Sequence, residues 1–364
     1  MKKEDLNYLY LIGFHVIIGI LIFMMPFLSK IYGYGIYIFW LWYIIKSQNK
    51  NDEVLIAAAY IVGSEVFLRM TGGNPLYEIT KYGVILFLFI GIYFSGFSKG
   101  ALPYWIFLIL LVPGVIISTF VLDFDTNIRK VIAFNISGPV CLAIASLYTF
   151  RKKIALAQMN TILLSLGLPI ITCMVYLTLF TPNVREVITG TDSNFTTSGG
   201  YGPNQVATIL GLGMFIFFSR IILESKSTFQ VILNLFIAVN ITYRGMLTFS
   251  RGGMITGFLM ILLLLLFLYM KSNGNGKVKL NYIFAMIGLA MLCIWGYTSF
   301  QTGGLINKRY SNQDAAGRVK ESRFTGREEV AASEIDMFLK NPIFGVGVGK
   351  GAEVRKEETG IEIL

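Results

Sequence analysis

Eleven apolar runs constrain what this chain can fold into. They cover residues 8–28, 31–46, 54–70, 80–97, 102–121, 131–150, 162–181, 204–223, 229–249, 254–270 and 281–301. A bilayer crossing needs about 20 apolar residues, and hydrocarbon offers no partner to a bare N–H or C=O, so such runs cross as helices. The second and third runs are short for that task. Composition agrees: 55% of the 364 residues are hydrophobic and 14% charged, against roughly 25% charged in a soluble domain. With a mean hydropathy of +0.65, no soluble core of this size hides so much apolar surface. The same figures exclude disorder, collagen-like repeats and a disulfide scaffold. Cys141, Cys173 and Cys293 sit in separate apolar runs, a pattern that gives neither a disulfide framework nor zinc spacing. The one histidine, His15, lies inside the first run. It reads as a packed helix residue, with a proton relay as the alternative. The amino end has no small-residue cleavage site after its apolar run and reads as an uncleaved signal anchor.

The net charge of +10 would suggest a polyanion partner in a soluble protein. Its distribution gives another explanation. With the amino end in the cytoplasm, the inner loops hold 13 basic and five acidic residues. The outer side of residues 1–301 then holds eight basic and six acidic residues, and residues 302–364 hold ten of each. Short loops rich in Lys and Arg stay inside, so the excess reports topology. The expected architecture is an all-α polytopic membrane protein of about eleven helices. Residues 1–301 form the bundle, and 302–364 form an extracytoplasmic loop containing an amphipathic helix.

Under this topology the outer face collects the unusual chemistry. Loop 182–203 carries Arg185 and ends Ser198-Gly-Gly-Tyr-Gly-Pro203 before Asn204. Pro203 suits the first turn of a helix, whose free N–H groups and positive dipole end favour an anion. A plain flexible loop is the competing reading. The segment Arg244-Gly-Met-Leu-Thr-Phe-Ser-Arg251-Gly-Gly253 places two arginines seven apart, on one face if the helix continues to Ser250. Two guanidiniums beside two helix amino ends make a diphosphate cradle; snorkelling arginines are the alternative. Farther on, Thr325 and Glu328 form a capping-box pattern for a helix running to about Lys340, before Pro342. Ala331, Ile335 and Phe338 form its apolar stripe, suited to the membrane or the bundle. Arg327 occupies its first turn, where a cation gains nothing from the dipole. Gly345-Val-Gly-Val-Gly-Lys-Gly351 has the wrong spacing for a Walker loop and no βαβ unit for a dinucleotide fingerprint; it reads as a tight turn. Glu65 and Arg69 form a helical i,i+4 pair in the third run, structural or marking a pathway. Arg129 and Lys130 add charge at the outer end of the sixth.

Thr248-Phe-Ser-Arg251-Gly-Gly253 at the head of a helix, followed by Gly326-Arg327 and then Asn341-Pro342-Ile-Phe-Gly345-Val-Gly347, resembles the O-antigen ligase and polymerase family. Gly-Gly-Tyr-Gly-Pro-Asn204 upstream is similar too. The resemblance implies a bacterial inner-membrane enzyme acting at the outer face, without metal or cofactor, on glycans carried by undecaprenyl diphosphate. Implied acceptors are another glycan, lipid A-core or a protein; no nucleic acid is involved. Arg251 and Arg327 match the family arginines that engage the diphosphate, and Arg244, Asn204 and Arg185 are further substrate-binding candidates. Ligase, polymerase and protein glycosylation are not separated by these motifs. The ligase branch carries a histidine base beyond the Gly-x-Gly segment. This chain ends at Leu364 with no counterpart, which implies a truncated product and leaves its catalytic residue unassigned. A transporter or flippase for a lipid-linked glycan or small anion is the rival from another class, and a noncatalytic membrane subunit is a second.

Overall fold

The computed structural model describes residues 3–122, 127–320 and 327–360. Every one of the eleven runs is a helix: α1 Lys3–Met24, α2 Leu28–Ser47, α3 Glu53–Met70, α4 Ile79–Ser95, α5 Leu102–Val121, α6 Ile128–Thr149, α7 Leu156–Phe180, α9 Pro203–Leu223, α10 Thr228–Leu247, α11 Arg251–Lys271 and α12 Gly274–Gln301. Short helices fill the connections, α8 at Val184–Val187 and α13 at Leu305–Tyr310, and α14 Arg327–Lys340 and α15 Gly351–Thr359 follow. Among the described residues there is no strand, only an isolated bridge between Gln313 and Val319. Among the described residues eight helices are long and apolar enough to cross a membrane, namely α1, α5, α6, α7, α9, α10, α11 and α12. The protein is therefore an all-helical membrane protein. Of the other three, α4 is shorter, at 17 residues.

The chain divides into two compact units. The first comprises Met1–Phe39, Ala59–Pro75 and Ala155–Lys320; the second comprises Trp40–Ala58, Leu76–Ile154 and the described part of Glu321–Leu364. In the first unit α7, α9 and α10 are the inner helices, with half or more of their apolar windows buried, while α12 buries 6%. Lipid tails are as apolar as leucine, so membrane helices associate through close backbone packing at small residues. Ala207-x-x-x-Gly211 on α9 meets Gly253-x-x-x-Gly257 on α11 in this way. A Cβ at Gly253 would lie 2.4 Å from the Ala207 carbonyl carbon, and one at Gly257 would lie 2.4 Å from the Gly211 oxygen. Helix α1 approaches α7 similarly, where a Cβ at Gly19 would come within 2.9 Å of Thr172 O. His15 is buried there. Its Nδ1 donates to Leu11 O at 2.8 Å and its Nε2 accepts from Tyr60 OH at 3.0 Å, so it is a packed, satisfied residue. In the same unit Arg69 pairs with Glu65 at 2.6 Å.

In the second unit α6 packs against α4 and α5. The glycine-rich segment after α14 is a turn, with positive φ at Gly345, Gly347 and Gly349. It lies on α5, where Val348 N donates to Gly114 O at 3.3 Å. Helix α14 ends at Lys340 as expected, whereas Thr325 of the capping-box pattern lies outside the described residues. Its buried face differs from the expected stripe. Ser333 and Met337 are covered, while Ile335 and Phe338 are about 60% exposed; beside the covered pair the exposed Glu334 meets Arg355 of α15.

The α9–α11 contact is testable. Gly257→Ala should lower the thermal midpoint in detergent micelles, an overpacking cost of about 1–3 kcal/mol. Gly288→Ala on α12, where a Cβ meets nothing within 4 Å, should leave it unchanged or raise it, since alanine is the better helix former. Equal midpoints would mean that α9 and α11 do not touch at Gly257.

Candidate functional site

The site grows from the way α10 stops. A continuous helix to Ser250 would have put Arg244 and Arg251 on one face, but α10 ends at Leu247 and Phe249 takes φ 56°. A left-handed residue breaks the helical ladder, and for a bulky side chain it survives only where the surroundings hold it. Here the Phe249 side chain is buried and loop 182–203 takes up the free end of α10. Thr197 Oγ1 donates to Leu247 O at 2.6 Å and Asn194 N donates to Thr248 O at 2.9 Å. The turn is thus Thr248–Ser250. Arg251-Gly-Gly253, which falls between the two apolar runs, is the first turn of α11. Ser250 Oγ donates to Asn204 Oδ1 at 2.8 Å, joining the amino ends of α9 and α11. Their unpaired N–H groups emerge side by side.

Beside these ends stands a basic cluster. Arg251 donates through Nη1 to the carbonyl of Arg309 at 3.3 Å. The Arg309 guanidinium donates through Nε to Phe249 O at 2.8 Å and through Nη2 to Ser193 Oγ at 3.2 Å. Its Nη1 lies 4.0 Å from Asp192 Oδ1, which also accepts from Lys320 Nζ at 2.6 Å. Burial, and then the nearby Arg251, hold the Arg309 pKa below its ordinary value. The bond from Lys320 holds the Asp192 carboxyl below its own. Two guanidiniums brought together in a half-buried place repel unless an anion answers them. Helix α13 sets Arg309 in position. Gly303 and Gly304 adopt positive φ to reverse the chain after α12. Asn307 then accepts from Trp295 Nε1 at 2.8 Å, and Tyr310 packs edge-on against the Trp295 ring.

The residues singled out in the sequence fall in different places. Arg251 and Asn204 lie at the joined helix ends. Arg244 is buried and donates to Thr181 O at 3.0 Å and Thr178 O at 3.4 Å, so it caps the carboxyl end of α7. Arg185 lies 4.4 Å over the ring of Phe300, at an open cleft of about 580 Å³ also lined by Ile188, Gln301 and Leu305. Arg327 is exposed at the first turn of α14, in the second unit. Gly326, its partner in the sequence motif, lies outside the described residues. Sequence reasoning missed Arg309, Asp192 and Lys320. The basic pair Lys308-Arg309 after Gly303-Gly304 was the available signal for the first.

Residues 233–361 match the family model described as O-antigen ligase. The match supports the resemblance of this stretch to the O-antigen ligase/polymerase family. The stretch contains Arg251, Arg327 and the glycine turn, which carry the resemblance, and also Arg309. No curated protein and no solved structure matches the chain. A ligase family implies lipid-linked glycan and acceptor substrates in general terms, and a glycosyltransferase type of enzyme.

Arg244 and Arg251 should separate in experiment. Arg244→Ala strands two helix-end carbonyls and should destabilise the protein by about 1–3 kcal/mol, read as a lower thermal midpoint. Arg251→Ala should leave the midpoint nearly unchanged. The opposite pattern would assign the structural role to Arg251.

Proposed function

We propose that this protein transfers or polymerises a glycan carried on undecaprenyl diphosphate at the outer face of the bacterial inner membrane. The observation that carries this reading is the meeting of Arg251 and Arg309 beside two joined helix amino ends, inside the stretch matched to the ligase family. When the glycan leaves, negative charge gathers on the diphosphate. Fixed guanidiniums and helix N–H groups stabilise such charge most where it develops, and they do so without a metal. By family resemblance Arg327 is a further diphosphate-binding candidate. An apolar cavity of about 350 Å³ lies between α9, α10, α11 and α12, lined by Met214, Phe218, Leu235, Phe258 and Ile287 among others. It suits part of an isoprenoid chain. The acceptor is a glycan, lipid A-core or a protein.

The proposed topology has eleven crossings, an amino end in the cytoplasm and residues 302–364 outside. The basic inner loops support it. A transporter would hold its charges at mid-bilayer on broken helices, whereas Arg251 and Arg309 stand at helix ends, which favours the transferase.

Arg251→Ala and Arg309→Ala should each lower glycan transfer from the lipid-linked donor by about 100- to 1,000-fold, the second with a lower thermal midpoint as well because it frees Phe249 O, and Arg327→Ala should lower transfer likewise. Unchanged transfer in the first two would remove the site assignment. A membrane-impermeant maleimide should label Ser311→Cys, an exposed position, from outside intact spheroplasts. Labelling only after lysis would invert the topology.

A further inference from the structure

We infer that Lys320 and Arg309 form a second phosphate-binding arm of the site, and that the Asp192 carboxylate stands in for the phosphate when the arm is empty. The inference rests on the diphosphate reading above and extends it to residues outside the Arg251 pair.

The geometry is that of one oxygen position shared by two cations. Asp192 Oδ1 is 2.6 Å from Lys320 Nζ and 4.0 Å from Arg309 Nη1. The Arg309 guanidinium and the backbone of Lys320 are placed by bonds that do not involve Asp192. Arg309 is fastened through its other two nitrogens to Phe249 O and Ser193 Oγ, which leaves Nη1 facing the carboxylate. Lys320 ends a small hairpin. Its N–H donates to Asn312 O at 2.9 Å, and Asn312 Nδ2 donates back to Lys320 O at 3.0 Å. Arg318 N and Nε, bonded to the Asp314 carboxylate, close the loop between.

Asp192 itself is the movable partner. Its side chain is 86% exposed, against 17% for Arg309 and 29% for Lys320. The flanking chain is anchored by the buried Thr191 and by Asn194, whose N–H donates to Thr248 O. The carboxylate can therefore turn aside about its own χ angles while the loop stays. With Asp192 open to water, solvent replaces its ion pairs as it turns away, so leaving them costs little. A phosphate offers more charge and more acceptor oxygens to the same two cations than a carboxylate does. The ligand is a diphosphate, either free or as the headgroup of a lipid.

The test is titration of the full chain in detergent micelles with two probes, inorganic pyrophosphate and geranylgeranyl diphosphate. Asp192→Asn removes the competing charge and should tighten binding by about threefold at low salt. Lys320→Ala should weaken it, and Asp192→Asn should tighten binding by less in the Lys320→Ala background, where Arg309 alone still faces the carboxylate. Tightening with both probes assigns recognition to the diphosphate alone, and tightening with the prenyl probe alone assigns it to a lipid-anchored headgroup; either supports the arm. Unchanged or weaker binding in Asp192→Asn, or unchanged binding in Lys320→Ala, overturns the arm while leaving the Arg251 site standing. Failure of both probes to bind the parent protein overturns the diphosphate reading and this inference together.

Discussion

The contact between α9 and α11 is the constraint on which the rest of the site depends. Where alanine and glycine line both helices, the backbones meet without side chains between them, and the amino ends must emerge together. That closeness lets one serine–asparagine bond join them. It also leaves no room for α10 to run on, since its successor is already committed to lie along α9. The chain turns within three residues, and the strain of that turn falls on Phe249. The carbonyl that Phe249 exposes is the one that Arg309 holds. Packing in the hydrocarbon thus determines chemistry at the surface.

Arginines serve opposite purposes within a few residues of each other. Arg244 faces inward and closes the end of α7, where an unmet carbonyl under the membrane surface would be costly. Arg251 faces the joined helix ends. Spacing along the sequence made them look like a pair; the left-handed turn between them makes them independent. Arg309, far along the chain, is a residue that Arg251 does meet.

The fold was legible because lipid imposes a simple rule, and each apolar run became one helix. Its boundaries were less so. The first run was drawn through to Leu28, but the helix stops at Met24, since Pro26 follows. Helix α13 has six residues and no period to detect. In the candidate site, Arg251 and Asn204 were readable because they sit in compact motifs at helix starts. Asp192 and Lys320 were not, being 128 positions apart and ordinary in their local settings; only tertiary packing makes them neighbours. Arg244 shows the converse, since a conspicuous local motif carried no information about where its side chain points.

The double attachment of Arg309 has an evolutionary consequence. Its guanidinium fastens a strained turn with one edge and presents the other to whatever anion arrives. A lysine has one nitrogen on a flexible stem and must choose between these tasks. Drift at this position is therefore restricted twice over. A lineage that abandoned the anion would still need arginine to hold the turn, and one that rebuilt the turn would still need it for charge. Conservation at 309 would by itself say little about catalysis. A lineage that keeps Arg309 while losing Lys320 would be the informative case, because it would retain the fold and discard the ligand.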